Sequence, residues 1–323
     1  MQRDGLVVSY LLDGNGGGEQ VGWETIRGWK PDDGLLWVHL NRDSADSRKW
    51  LTQESGLDPL VAEALLAEST RPRSAQLRDG VMLFLRGVNL NPGADPEDMV
   101  SIRLWLDGNR IISVRMRRLL SIDDLRDSID QGRGPAGVGD FVVHLTDQLA
   151  GRIAGVIGDI DDEVDRLQDM VLEAESHQLR TQLNQLRREI IALRRYLAPQ
   201  RDALARLTQL KVDWLTERDL LNLREEADRV TRYVEDLDAA RERATITQEE
   251  LGNRLSEQMN ARMYVLSVVA AVFLPLGFLT GLFGINVGGI PLAEDPQGFI
   301  DIVLILLLIV VIQVVLFRWR RWL

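Results

Sequence analysis

The residues best placed to do chemistry are neutral oxygens at the end of an apolar run. Gly284-Ile285-Asn286 closes the uncharged stretch 263–284, MYVLSVVAAVFLPLGFLTGLFG. A helix ending there directs unpaired carbonyls and a partial negative charge forward, and the Asn286 amide adds one more oxygen. Several copies around an axis would make a ring able to hold a hydrated dication through its waters. Glycine followed by asparagine is also an ordinary helix stop, so from these residues alone both readings stay open. A second candidate is the stretch 159–169, DIDDEVDRLQD, with six acids and one base. It is either a solvated helix face or a field in which repeated copies of Asp159, Asp161, Asp162 and Glu163 gather cations at a cytoplasmic mouth.

Other chemistries are excluded or weak. With no cysteine, disulfides, thiolate metal sites and cysteine nucleophiles are absent. His39, His144 and His177 are scattered without ligand spacing, which argues against a preformed zinc site and leaves each as surface or core. GNGGG at 14–18 lacks the lysine and hydroxyl of a phosphate cradle and reads as a turn. No enzyme site and no tightly bound cofactor is expected. The formal charge of −11 lies on residues 1–262, because beyond them Glu294, Asp295 and Asp301 balance Arg318, Arg320 and Arg321. Such acidity disfavours a nucleic-acid partner and suits a protein that gathers cations. The opening MQRDGLVVSY predicts no secretory signal.

The elements that must position Asn286 are two membrane spans. The run 263–284 makes a helix about 33 Å long, enough to cross a bilayer. The run 299–317 is almost wholly Ile, Leu and Val, interrupted by Asp301 and Gln313, and it spans as well. Arginines flank the outer ends of the pair, whereas the connecting loop 285–298 carries acids and no base. Both termini are therefore expected in the cytoplasm, with the basic tail 318–323 beside an interfacial aromatic belt formed by Trp319 and Trp322. Asn260, Met263, Ser267 or Leu266, Ala270, Leu274, Gly277, Gly281 and Gly284 fall on one helical face that narrows toward the outside. Spacing alone allows either close helix packing through the small residues or a pore-lining stripe. Pro275 frees a carbonyl that needs a new partner.

In front of the spans, residues 1–140 predict an α+β cytoplasmic domain. Strands are expected at 6–12, 35–40, 81–90, 100–106 and 110–116, with a hairpin at Asp107–Asn109 and a helix at 58–69. From 141 to 218 apolar residues recur by threes and fours, predicting two long amphipathic helices separated near 175–177, the second ended or bent at Pro199. Residues 219–284 predict one stalk helix running into the first span, its heptad carried by Leu223, Ala227, Val230, Val234 and Leu237. A helix of roughly 95 Å needs partners for its apolar stripe, supplied by copies of the same chain or by the helices at 140–198.

The sequence resembles the CorA-type metal ion transporter family, and within it fits the ZntB-like zinc transporter branch more closely. The likeness rests on GLFGINVGGIP at 281–291, AESTRPR at 67–73, LRGVNLNPGADPEDMVS at 85–101 and RRYLAPQRDALARL at 194–207. Ile285 stands where the magnesium-transporting majority carries methionine, and Val287-Gly288-Gly289 replaces an aromatic-bearing segment, which speaks against magnesium. The resemblance implies a funnel-shaped homopentamer in the cell inner membrane. It implies a selectivity motif of Gly284, Ile285 and Asn286, with Asn286 meeting the hydrated ion. It implies pore-lining positions Asn260, Met263, Leu266, Ala270, Leu274, Gly277 and Gly281. The expected cargo is Zn2+, with coupling to a proton gradient as an open question. A Mg2+, Co2+ or Ni2+ channel of the same architecture and a membrane-anchored scaffold or sensor are the alternatives.

Overall fold

The computed structural model describes residues 5–78, 80–173, 177–285, 290–291 and 295–320, with the backbone alone described at 172, 173 and 177. It divides into two units, Met1–Glu249 and Glu250–Leu323.

The first unit is built on a seven-stranded sheet in the order β2-β1-β3-β7-β6-β5-β4. The strands are β1 (Leu6–Leu12), β2 (Gly18–Gln20), β3 (Leu35–Asn41), β4 (Arg73–Leu77), β5 (Gly80–Gly87), β6 (Val100–Leu106) and β7 (Arg110–Arg115). Neighbours are antiparallel except β3 and β7, which pair in parallel from Leu36↔Arg110 to Asn41↔Arg115. Both faces of the sheet are covered, so the central strands are apolar nearly throughout. On one face, Trp37, Leu83, Leu85, Ile102 and Leu104 pack against α4 (Leu120–Asp130), the start of α5 (Val138–Glu173) and the end of α6 (His177–Leu207). On the other, Leu36, Val38, Met82, Phe84 and Ile112 meet α1 (Trp23–Gly28), α3 (Pro59–Leu66) and a single π turn at Trp50–Glu54 that continues α2 (Ala45–Lys49). The period-two split between Leu36, Trp37 and Val38 decides which face each side chain joins.

The expected strands are present, the one at 81–90 ending three residues early and the one at 110–116 one residue early, and the helix expected at 58–69 is the shorter α3. Two edge strands, β2 and β4, and helix α4 come in addition. The GNGGG segment is the β1–β2 turn: Asp13 N–H donates to Gly17 O (3.1 Å), and Asp13 Oδ1 accepts from Asn15 N–H (2.7 Å) and Gly17 N–H (3.0 Å). At Gly80 the close approach of an aromatic requires glycine, because a Cβ would lie 2.1 Å from Trp105 Cζ2.

The end of α3 and the AEST loop after it are clamped by arginines on their carbonyls. Arg103, only 1% exposed, donates to Leu65 O (2.8 Å), Arg42 to Ala67 O (3.2 Å) and Arg86 to Thr70 O (2.9 Å). Burial pushes the Arg103 guanidinium down to about 10. Arg86 also lies 3.9 Å over the Tyr196 ring, and its backbone N–H donates to Gln200 Oε1 at 2.7 Å, just beyond the end of the β4 ladder. These contacts dock α6 on the sheet.

Proline 199 does not end α6, which continues to Leu207. It removes only the N–H that Arg195 O would have accepted, and Gln200 and Leu204 are buried on the far side of it. The last long helices are α7 (Glu217–Phe283), 67 residues, and α8 (Gly298–Trp319), 22 residues. Within the first unit Leu223, Ala227, Val230, Val234, Leu237 and Ala244 are buried in the single chain. Their heptad therefore demands no second copy, and of the two coverings considered for that part of the stripe the chain's own helices supply one.

Candidate cation pathway

The positions expected to line a pathway lie in the second unit, on the C-terminal part of α7. Asn260, Met263, Leu266, Ala270, Leu274, Gly277 and Gly281 are all exposed in the single chain. At about 100° per residue they gather on one side of the helix. That side has no charge. Among the described residues its polar side-chain groups are the Asn260 amide, the Met263 thioether and, toward its margin, the Ser267 hydroxyl, so a dication beside it would keep most of its own waters. Gly284 N–H donates to Thr280 O (2.9 Å) and Gly281 O (3.2 Å), tightening the helix end. Ile285 follows, 49% exposed. Asn286 and the segment 287–289 lie outside the described residues, as do Arg321 and Trp322.

The opposite side of α7 faces the second span. Val268, Ala271, Val272, Pro275, Leu276, Leu279 and Phe283 are half-buried, and their centre is roughly 170° around the helix from the exposed face. On α8 the covered positions are Ile302, Leu306, Ile309, Val310, Gln313 and Phe317, a stripe of alternating three- and four-residue steps. The two stripes meet at a polar contact: Gln313 Nε2 donates to Ala271 O at 3.4 Å. Ala271 is four residues before Pro275, so its carbonyl is the acceptor that proline strands. Thr280 Oγ1 donates back to Leu276 O (3.0 Å) and Gly277 O (3.2 Å) in the turn beyond. Sequence reading noted the Pro275 carbonyl and the interruption by Gln313 but did not join them. The available signal was a lone amide in an otherwise apolar span, which lipid makes costly unless it is paired.

In the first unit the acidic stretch lies on α5, and the structure splits it. Asp161 and Asp165 both hold Arg243 of α7, each at 2.5 Å. Burial raises the Asp161 carboxyl above its usual range, against the pull of Arg243. Glu163 accepts from Arg166, and Asp162 is exposed. Asp159 and Glu163 instead turn to a cleft of about 220 Å³ with Asp95, Glu97 and Glu189. Burial there lifts the Glu97 carboxyl, with the charges of Glu189 and Asp95 adding to the effect. Among the described residues no group of three or more His, Asp or Glu side chains is placed to hold a metal ion. His39 is buried and bonded to Ser113, and His144 Nδ1 lies 2.9 Å from Asp140 O and 3.2 Å from Asp140 Oδ1. The His177 side chain lies outside the described residues.

Comparison with known proteins matches residues 32–321 to the family described as CorA-like Mg2+ transporter protein. The divalent cation transporter CmaX of Pseudomonas aeruginosa is 41% identical over 99% of this chain and 97% of its own length. The zinc transport protein ZntB of Pectobacterium carotovorum is 36% identical over 96% of this chain and 94% of its own. The solved structure of full-length CmaX superposes with a TM-score of 0.87 at 40% identity, over 99% of this chain and 98% of that one.

Proposed function

The chain belongs to the CorA-like Mg2+ transporter protein family, and from that premise we propose that this divalent cation transporter moves Zn2+ through a homopentameric pore in the cell inner membrane. Both termini face the cytoplasm in this reading. The pore is lined by Asn260, Met263, Leu266, Ala270, Leu274, Gly277 and Gly281 and closed outside by Gly284, Ile285 and Asn286.

The observation that carries the reading is the division of α7 into two opposite faces. One is half-covered at the second span. The other is uncharged and open, as copies meeting around an axis require. Zinc is favoured by the likeness to a zinc transport protein along nearly the whole chain, and by Ile285 and the segment 287–289 in place of the magnesium group's residues. Weak ligands suit transport, because an ion held by thiolates or imidazoles leaves slowly, and the chain has no cysteine. A Mg2+, Co2+ or Ni2+ cargo remains the second reading, supported by the family's description and by the relative named for divalent cations in general.

The test is flux into liposomes, with Zn2+ competed by Mg2+, Co2+ and Ni2+ and repeated across a pH step to read proton coupling. Loss of the amide in Asn286→Ala removes a hydrogen bond to the ion's waters worth about 1.5 kcal/mol, so the rate should fall about tenfold and ion discrimination should relax. Equal rate and selectivity in the two proteins would remove the amide ring from the mechanism.

A further inference from the structure

Proline at 275 leaves the Ala271 carbonyl without its helical N–H, at a depth where no water is available to replace it. The second span presents one amide side chain, and it is this amide that reaches Ala271 O, at 3.4 Å. Gln313 sits in the half-buried stripe of α8, and its Oε1 is buried with no partner. The amide is therefore oriented by one bond alone, the one to the proline break. A purely apolar side chain would serve the packing of this stripe equally well, as its other members show, so the amide is explained by the stranded carbonyl and not by filling space.

We propose that Gln313 is a positioning residue that clasps the first span at its proline break, fixing from behind the helix whose opposite face lines the pore. The inference rests on the reading of α7 as the pore helix. Leu274 and Gly277, which flank Pro275, are on the open face. A change in the bend at Pro275 moves these two positions relative to Ala270 and Met263, so the clasp sets the width of the conduit without touching the ion.

The experiment is a two-by-two set in the full-length chain. Gln313→Met keeps length and helix propensity and removes the donor. Pro275→Ala restores an N–H that satisfies Ala271 O within α7; Pro275→Leu restores the same N–H and serves should the alanine variant not fold. In the proline background, Gln313→Met should lower the apparent Tm in detergent by about 2–4 °C. It should also lower the maximal rate of Zn2+ flux severalfold while leaving the half-saturating Zn2+ concentration unchanged, because the entrance at Asn286 is untouched. With Pro275 replaced, both losses should disappear. Equal Tm losses in the two backgrounds, or none in either, overturn the clasp. A non-additive Tm cycle with unchanged flux overturns its role in positioning the pore. A wild-type protein that moves none of the dications sinks the transport reading alone, and the Tm cycle still decides the clasp.

Discussion

His39 gives the clearest test of the soluble core's electrostatics. The ring is completely buried at the parallel β3–β7 pair, with Nδ1 2.8 Å from Ser113 Oγ. That hydroxyl also accepts from Trp37 Nε1 (2.9 Å) and donates to Val38 O (3.3 Å). Ser113 Oγ is the ring's one hydrogen-bond partner, whichever of the two carries the shared proton, and His39 is held neutral. Nε2 has no partner, so a second proton would find no acceptor. Burial first, and the positive charge of Arg115 second, lower the His39 pKa to about 3. The unfolded chain binds a proton near pH 6.5 and the folded one does not, so stability is fully present above pH 6.5 and is lost as pH falls toward 3. Between pH 6.5 and 4.5 the loss is on the order of 2 kcal/mol. His39→Gln removes this titration and costs packing at every pH. Thermal unfolding, followed by tryptophan fluorescence, should show the wild type's advantage at pH 7 shrinking by about 5 °C or more at pH 4.5. A gap between the two proteins that does not change with pH would refute the assignment of a neutral, unprotonatable ring.

Further outcomes follow from particular contacts. Gln200→Leu strands the Arg86 N–H at the open side of β5 and should destabilise the protein by about 1–3 kcal/mol, read as a lowered Tm. Gly80→Ala drives a methyl into the buried Trp105 ring and should cost about 1–3 kcal/mol, with a shift in tryptophan emission; an unchanged Tm would mean the indole yields freely. Replacing Asp159, Asp161, Asp162 and Glu163 by their neutral amides should reduce Zn2+ flux more at low than at high salt, and a loss independent of salt would remove the steering role.

Much of this was legible in the sequence where local pattern and tertiary demand agree. The alternation in β1 and β6, the DGN turn before β7 and the threes and fours of α5 and α6 each specify an element whose apolar face is then buried. The edge strands were not legible. RSAQL in β4 has only Ala75 and Leu77 as apolar residues and GEQ in β2 has none, too little for a strand pattern, so their extended form comes from the ladders of β5 and β1 that they complete. Helix α4 carried the signal in Ile122, Leu125 and Ile129, spaced by three and four, but its many aspartates hid the stripe. At the pathway, the open face was readable from spacing as one of two possibilities. The clasp needed knowledge of which depth on α8 meets Ala271, and no pattern within one helix contains that.

The distribution of charge along the chain has a physical logic that the residue count overstates. Of the acids in 159–169, Asp161 and Asp165 share Arg243 and Glu163 holds Arg166, so the stretch exerts less field than six carboxylates would. Asp159, Asp162 and Asp169 have no ion-pair partner among the described residues and carry most of what remains. A cation must be drawn in without being captured. Dispersed, solvated carboxylates act over about a Debye length of 8 Å in physiological salt and bind nothing tightly. A cluster dense enough to chelate would hold the ion instead. If the open face of α7 is the route proposed above, its lack of carboxylates meets the same requirement: inside the bilayer an unpaired acid would bind a dication far more strongly than water does, and the ion would stay. In the proposed reading, attraction is left to the acidic first unit and passage to an uncharged face, and the Gln313–Ala271 contact lies on the side of α7 opposite that face.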